Sequence, residues 1–293
     1  MRIIAVCLFS LVAGSALAQE WATSYKLSEI VPGVHLLQGE GGFGGGNIGL
    51  LSGPEFVVLI DDGVAPLAPL LLETVESAAG RPVNFIINTH VHGDHLGGNA
   101  HFAEQGAVVF AHENIRKRLL ADASSAGGPR GLPVVTFGAG VSFHVNGLEA
   151  RVFHLADAHT DGDAAILFPG ADLLFTGDVL FHGMFPFIDL DSGGSYAGYV
   201  AAQQQLLTLV DEDTRIVPGH GEITNRAGLA EDLRVLQDAH ARVAALAGEG
   251  LSADEVVARN PLAQYHDEYN WAFITTERMT RTLHRDITAA GPE

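Results

Sequence analysis

Four side chains able to bind a metal ion, His90, His92, Asp94 and His95, fall within six residues, directly after the apolar run Val83-Asn84-Phe85-Ile86-Ile87. A short run this rich in β-branched and aromatic residues predicts a buried strand, so the cluster sits where a strand ends. In extended chain, positions 90 and 92 face one point, and Gly93 permits a turn that presents Asp94 and His95 to another. The pattern predicts two adjacent metal sites. A polar loop with incidental histidines accounts poorly for ligands this dense.

Three more ligand-type residues follow apolar strands in the same way. His159 comes after Arg151 to Ala156, Asp178 after Leu173-Leu174-Phe175-Thr176-Gly177, and His220 after Ile216-Val217-Pro218-Gly219. Each has a glycine beside or close to it, as expected where a sheet edge presents a site. Any one alone would be an ordinary loop residue; the set is harder to dismiss.

The 293 residues, 47% hydrophobic and 17% charged, suit one large globular domain or one domain with helical additions, and they argue against disorder. Residues 1–18 read as a secretory signal peptide: Arg2, an apolar run from Ile3 to Phe9, and the small-x-small end Ala16-Leu17-Ala18. Cleavage after Ala18 would leave an exported, periplasmic domain over residues 19–293. Cys7 is the only cysteine, and Val6 before it does not suit lipid attachment. The processed chain would then contain no thiol, which excludes a cysteine nucleophile, thiolate ligands and disulfides. No later stretch is apolar enough for a membrane span. A net charge of −19 argues against nucleic acid and against stable association with anionic membrane, and leaves a small molecule as the expected partner. The basic triplet Arg116-Lys117-Arg118 reads as the solvated face of a helix.

After a polar start, Val34 to Leu37 and Asn47 to Leu51 read as strands joined by a glycine-rich tip, Gly39 to Gly46. The tip contains Gly39-x-Gly41-x-x-Gly44, formally a dinucleotide fingerprint, but a phosphate loop must open a helix and here a strand follows. A mobile hairpin carrying Phe43, able to close over a substrate, is the better reading. Phe56 to Ile60 is another strand. A helix opens at Pro66, with apolar positions Leu67, Leu70, Leu71, Val75 and Ala78. Further helices are expected over 95–105 and 113–120, a flexible loop over 127–131, and a hairpin turning at Asn146-Gly147. Strands are expected at 165–168, 172–175 and 215–217. From about residue 226 the chain reads as helical, with a capping box at Ser252 and Glu255.

His90-x-His92-x-Asp94-His95, His159 in Ala-His-Thr-x-Gly-Asp, Asp178 in Thr-Gly-Asp and His220 in Pro-Gly-His-Gly together resemble the metallo-β-lactamase superfamily, over roughly residues 30–225. The resemblance implies an α/β architecture, an αββα sandwich of two mixed sheets with outer helices, with residues 226–293 as a helical extension. It also implies that His90, His92 and His159 hold one metal, that Asp94, His95 and His220 hold another, and that Asp178 bridges them. Asp61 matches an acid that supports the ligands from behind. Ala158 stands where a glycine is usual.

Imidazole and carboxylate without thiolate favour two zinc ions, with iron or manganese also fitting. Two such cations would bring the pKa of a bridging water to about 7 and so supply hydroxide, leaving no need for a side-chain nucleophile. Asp94 could pass a proton to the leaving group. Where this chain has Asp178, classical zinc β-lactamases carry Cys or Ser, and a bridging Asp is the pattern of glyoxalase II-like thioesterases and lactonases. The expected activity is hydrolysis of a small ester, thioester, lactone or β-lactam. The alternative on the same fold is a mononuclear-iron sulfur dioxygenase similar to persulfide dioxygenases; His92 argues against the diiron oxygen-reducing branch, which carries Glu there. A third reading makes the metals structural in a binding protein. Phe43, His182 and Phe185 are the expected substrate contacts.

Overall fold

The computed structural model describes residues 20–290; the expected signal segment, residues 1–18, lies outside them. Two mixed sheets stack face to face. The first has seven strands in sequential order: β1 (Ser24–Val31), β2 (Val34–Glu40), β3 (Ile48–Ser52), β4 (Val57–Ile60), β5 (Phe85–Ile87), β6 (Val108–His112) and β7 (Val135–Phe137). Its first four strands pair antiparallel and its last four parallel. The second contains β8 (Gly140–Val145), β9 (Leu148–Leu155), β10 (Asp163–Phe168), β11 (Leu173–Phe175) and β12 (Arg215–Val217), in the order β12-β11-β10-β9-β8.

Strand periodicity assigns the two faces. Val58 and Ile60 on β4 point between the sheets and meet Ile166, Phe168 and Phe175, whereas Val57 and Leu59 point outward. Outside the first sheet, α1 (Ala68–Ala79) covers those outward residues with Leu71 and Val75. Outside the second, α5 (Tyr196–Leu209) brings Ala202 and Leu206 onto Leu174 and Ile216. The layers are therefore α, β, β, α, as the resemblance implies. Between α1 and α5 in the chain lie α2 (Gly93–Leu96), α3 (Asn99–Glu104) and α4 (Glu113–Ala121). The C-terminal part is α6 (Arg226–Gly248), α7 (Ala253–Arg259), α8 (His266–Tyr269) and α9 (Thr276–Ala290), which bury their own cluster around Leu236, Val243 and Met279. Among the described residues no helix is long and apolar enough to cross a membrane.

The structure departs from expectation in several places. The polar start is strand β1, whose pattern exposes about as many side chains as it buries and so lacks a clean alternation. The helix expected over 95–105 breaks into α2 and α3 at Gly97-Gly98, where the Gly98 amide donates to Asp62 Oδ1 at 2.8 Å. Residues 127–131 are no open loop: Pro129–Gly131 forms a 3-10 turn, and Gly131 is buried against Ala126. The Asn146-Gly147 hairpin forms as expected, with φ of 53° and 78° at the two turn residues.

Topology gathers the ligand-type residues. β10 runs antiparallel to both β9 and β11, and β12 runs parallel to β11, so β9, β11 and β12 all end at the same edge. His159, Asp178 and His220 follow those three ends. Across the sandwich His90 to His95 follow β5, and the two edges are joined where the Ala164 amide donates to Thr89 O at 2.8 Å.

Candidate metal centre

All seven residues converge, in two groups able to hold a metal: His90, His92, His159 and Asp178, and beside them Asp94, His95 and His220. Asp178 lies between the groups. Its Oδ2 is 3.5 Å from His90 Nε2 and 3.5 Å from His159 Nε2, while Oδ1 is 3.0 Å from His95 Nε2 and 3.6 Å from His220 Nε2. His220 Nε2 is in turn 3.3 Å from Asp94 Oδ2.

Four of the five imidazoles are oriented by a hydrogen-bond partner behind the ring, which leaves one nitrogen for the centre. His159 Nδ1 donates to Phe187 O at 2.6 Å, so Nε2 faces inward. His92 is turned the other way: Nε2 donates to Asp189 Oδ2 at 2.9 Å, and Nδ1 lies 2.8 Å from His159 Nε2. Asp61 anchors one histidine of each group. Its Oδ2 accepts from His95 Nδ1 at 2.8 Å and from Thr89 Oγ1 at 2.7 Å, and that hydroxyl lies 3.0 Å from His90 Nδ1. Asp61 also takes φ 60°, a left-handed conformation that Asp tolerates better than most residues. Tyr199 donates to Asp178 O at 3.0 Å from within α5.

The donor set fits a metal. His90 Nε2 and Asp178 Oδ1 are buried without a hydrogen-bond partner; Asp178 Oδ1 is close to His95 Nε2 but not aligned to bond it. Such orphaned polar atoms are costly unless an ion satisfies them. The spacings also suit one, since the edge of a tetrahedron around zinc with ligands at about 2.1 Å is about 3.4 Å. Protonation differs between the groups. Burial drives His90 well below the usual imidazole range and His159 down to about 4, so both stand neutral and ready to ligate. Burial would lower His95 too, but Asp178, Asp94 and Asp61 around it hold it well above. Burial would raise Asp94, yet His95 and a hydrogen bond from His220 bring it down to about 2.

Two glycines admit the backbone to this crowded site. A Cβ on Gly46 would stand 2.1 Å from His95 Cε1, and one on Gly219 would stand 2.0 Å from Asp178 Oδ1. The glycine-rich tip is hydrogen-bonded to its surroundings: Gly46 N donates to Asp94 O, Asn47 N to Gly219 O, and Phe43 N to Glu20 O.

A cleft of about 600 Å³ opens over the centre, and Phe43 lines it together with His92, Asp94, Asp178 and His220. The other expected contacts are not on that wall. Phe185 is fully buried among the C-terminal helices, where its carbonyl accepts from Trp271 Nε1. His182 is tied by Nδ1 to Asp232 Oδ2 at 2.7 Å, a bond that raises its pKa, and its backbone amide donates to His220 O. The cleft is instead walled by Phe181, Phe187, Trp271 and Phe273. Phe181 stacks on His220 at 5.1 Å and Phe187 on His92 at 5.6 Å. Trp271, Phe273 and Asp189 are site residues that the sequence does not single out. Asp189 had one signal, its place as cap of the 3-10 turn Leu190–Ser192.

The family model of the metallo-beta-lactamase superfamily matches residues 41–220. Over 148 residues the chain is 34% identical to the "Probable metallo-hydrolase YqgX" of Bacillus subtilis, covering 48% of this chain and 69% of that one. Over 156 residues it is 33% identical to a "Hydroxyacylglutathione hydrolase" of Nitrosococcus oceani, covering 52% of this chain but only 54% of that protein. The solved structure of a metallo-beta-lactamase from Pontibacter korlensis superposes with a TM-score of 0.63 at 23% identity, over 73% of this chain and 100% of that one, a likeness of fold. With the motifs in order, the ligand-type residues converged and the sandwich in place, the chain belongs to the metallo-β-lactamase superfamily and is one of its metallo-hydrolases.

Proposed function

We propose that this chain is an exported binuclear zinc hydrolase that cleaves a small carboxylic ester, thioester, lactone or lactam. The observation that carries the reading is Asp178, whose two oxygens face two different sets of nitrogens on the floor of an open cleft. His90, His92 and His159 would hold one ion, Asp94, His95 and His220 the other, and Asp178 both. When bound, such a pair supplies water acidified to the neutral range and an electrophile for the carbonyl oxygen. Asp178 would set the spacing of the two cations and offset their repulsion. Asp61 and Asp189 would keep the imidazoles in the ligating tautomer and orientation.

In the reaction a water oxygen becomes bonded to the acyl carbon, the bond from that carbon to oxygen, sulfur or nitrogen breaks, and the departing group takes up a proton. Asp94 is the carboxylate of the second group that lines the cleft, the right place to pass that proton. Two features favour this class over dedicated lactam cleavage: Asp rather than Cys at position 178, and the relatives named hydroxyacylglutathione hydrolase.

The test is a panel of chromogenic esters, thioesters, lactones and lactams given to zinc-loaded protein. Turnover should vanish with chelator and return with zinc. Silence across the panel, combined with oxygen uptake on a persulfide by iron-loaded protein, would transfer the chain to the sulfur dioxygenases. Export predicts a mature chain beginning near Gln19, checked by mass spectrometry of protein from the native host; an intact Met1 would contradict it.

A further inference from the structure

Outside the metal group, the described residues that line the cleft offer a substrate no polar side-chain group left free to bond it. Its wall consists of Phe43, Phe181, Phe187, Trp271, Ala272 and Phe273, and every polar residue lining it, His92, Asp94, Asp178 and His220, belongs to the metal-binding set. Any recognition by side chains beyond the reacting carbonyl must therefore come from apolar and aromatic contact.

Two of the rings come from a part of the chain that the family match, ending at residue 220, does not reach. Trp271 and Phe273 sit on the connection between α8 and α9, and that connection is held firmly. Trp271 Nε1 donates to Phe185 O at 2.9 Å, and the Trp271 amide donates to Ile274 O. The indole stands 5.9 Å from the Phe181 ring and 6.3 Å from the His220 ring, so it overlooks the second ligand group. Phe273 meets Phe187 edge-on at 5.3 Å, and Phe187 stacks on His92 of the first group. The outer side of Phe273 is braced by the Arg278 guanidinium, 4.1 Å from its centroid. Phe273 is nonetheless 45% exposed, an aromatic ring fixed in place beside the metal group and only half covered.

We propose that Trp271 and Phe273 determine specificity by clamping a ring-sized apolar group carried next to the scissile carbonyl, so that the substrates are aryl- or bulky alkyl-substituted carbonyl compounds. This rests on the hydrolase reading for the carbonyl but not for the clamp, and the two can be separated by binding. The clamp contacts the apolar group as it covers the open side of Phe273, and affinity rises with the apolar area removed from water.

The experiment measures, by calorimetry on the zinc-loaded full chain, the binding of acetohydroxamate against phenylacetohydroxamate and N-benzylacetohydroxamate. All three present the same metal-binding group, and the last two place the ring on either side of the carbonyl. The better aryl compound should bind at least ~10-fold more tightly than acetohydroxamate, from burial of one ring. Trp271→Ala should bring that ratio close to one. Phe273→Ala, which removes a half-exposed ring and leaves the core alone, should cut it at least ~3-fold and serves as the test if the tryptophan variant does not fold. Equal binding of the three compounds by the parent, or a ratio that survives both substitutions, overturns the clamp. A ratio that holds while no ester or thioester is hydrolysed leaves the clamp standing and removes the hydrolase reading instead.

Discussion

Replacing Asp61 by Asn tests how much of the metal centre is built behind it. Asn has nearly the same shape and also tolerates the φ of 60° found there, so the backbone can stay as it is. The chemistry does not transfer. Asp61 accepts three hydrogen bonds, from Thr89 N at 2.7 Å, Thr89 Oγ1 at 2.7 Å and His95 Nδ1 at 2.8 Å. An amide has one oxygen for the Thr89 backbone, and its NH₂ then confronts two donors. Losing two buried hydrogen bonds to a carboxylate costs about 3 to 6 kcal/mol of folding stability. His95 loses the partner that leaves Nε2 free for a metal, a change that typically weakens binding about 10–100-fold. His90 is affected one step further away, through Thr89 Oγ1. Zinc titration against a chromogenic chelator should therefore show the site containing His95 weakened about 10–100-fold, and the three-histidine site weakened less. A loss confined to the three-histidine site, or unchanged affinity at both, would refute the reasoning.

Three further outcomes are expected. Phe43→Ala should raise KM with kcat and zinc content nearly unchanged, because it removes contact made equally in ground and transition states; unaltered kinetics on the best substrate would reduce the tip to a connector. Gly46→Ala forces a Cβ against the His95 ring, and should lower zinc occupancy of the His95 site by about 10-fold or more while the fold survives, read by metal analysis beside circular dichroism. The third concerns pH. In the metal-free protein His95 is held well above the usual imidazole range, so metal must displace its proton, and affinity there should rise with pH by about one decade per unit between pH 6 and 7. His90 and His159 are held neutral in that window and so release no proton to a metal; an affinity at the His95 site that does not rise with pH would contradict the assignment.

The metal centre was legible in sequence because it is made of residues whose chemistry is unusual in clusters and whose positions follow strand ends. Asp178 and His220 are 42 residues apart, yet each announces itself beside a glycine that the crowded site requires. The substrate wall had no such signal. Phe185 and Phe187 are two residues apart in one apolar run, and which of them faces the cleft depends on how the loop meets α6 and α8. Trp271 and Phe273 lie some fifty residues beyond the last motif, and only tertiary packing returns them to the site. β1 escaped notice as an edge strand with an irregular pattern. α5 could have been found, since Ser195 caps it and Tyr199, Ala202, Gln203 and Leu206 repeat at helical spacing.

The central claim is that one carboxylate joins two metal sites, and the most direct measurement is the zinc content of the parent and of Asp178→Ala after equilibrium dialysis. Two zinc ions per chain are expected in the parent. In the variant the ion held by Asp94, His95 and His220 should be largely lost, since Asp178, kept ionised against its burial by the His95, His220 and His90 imidazoles, is the acid that faces both groups. The three-histidine site should stay partly filled, and turnover should fall at least ~100-fold. A single metal in the parent, or two retained in the variant with near-normal turnover, would mean that Asp178 does not bridge.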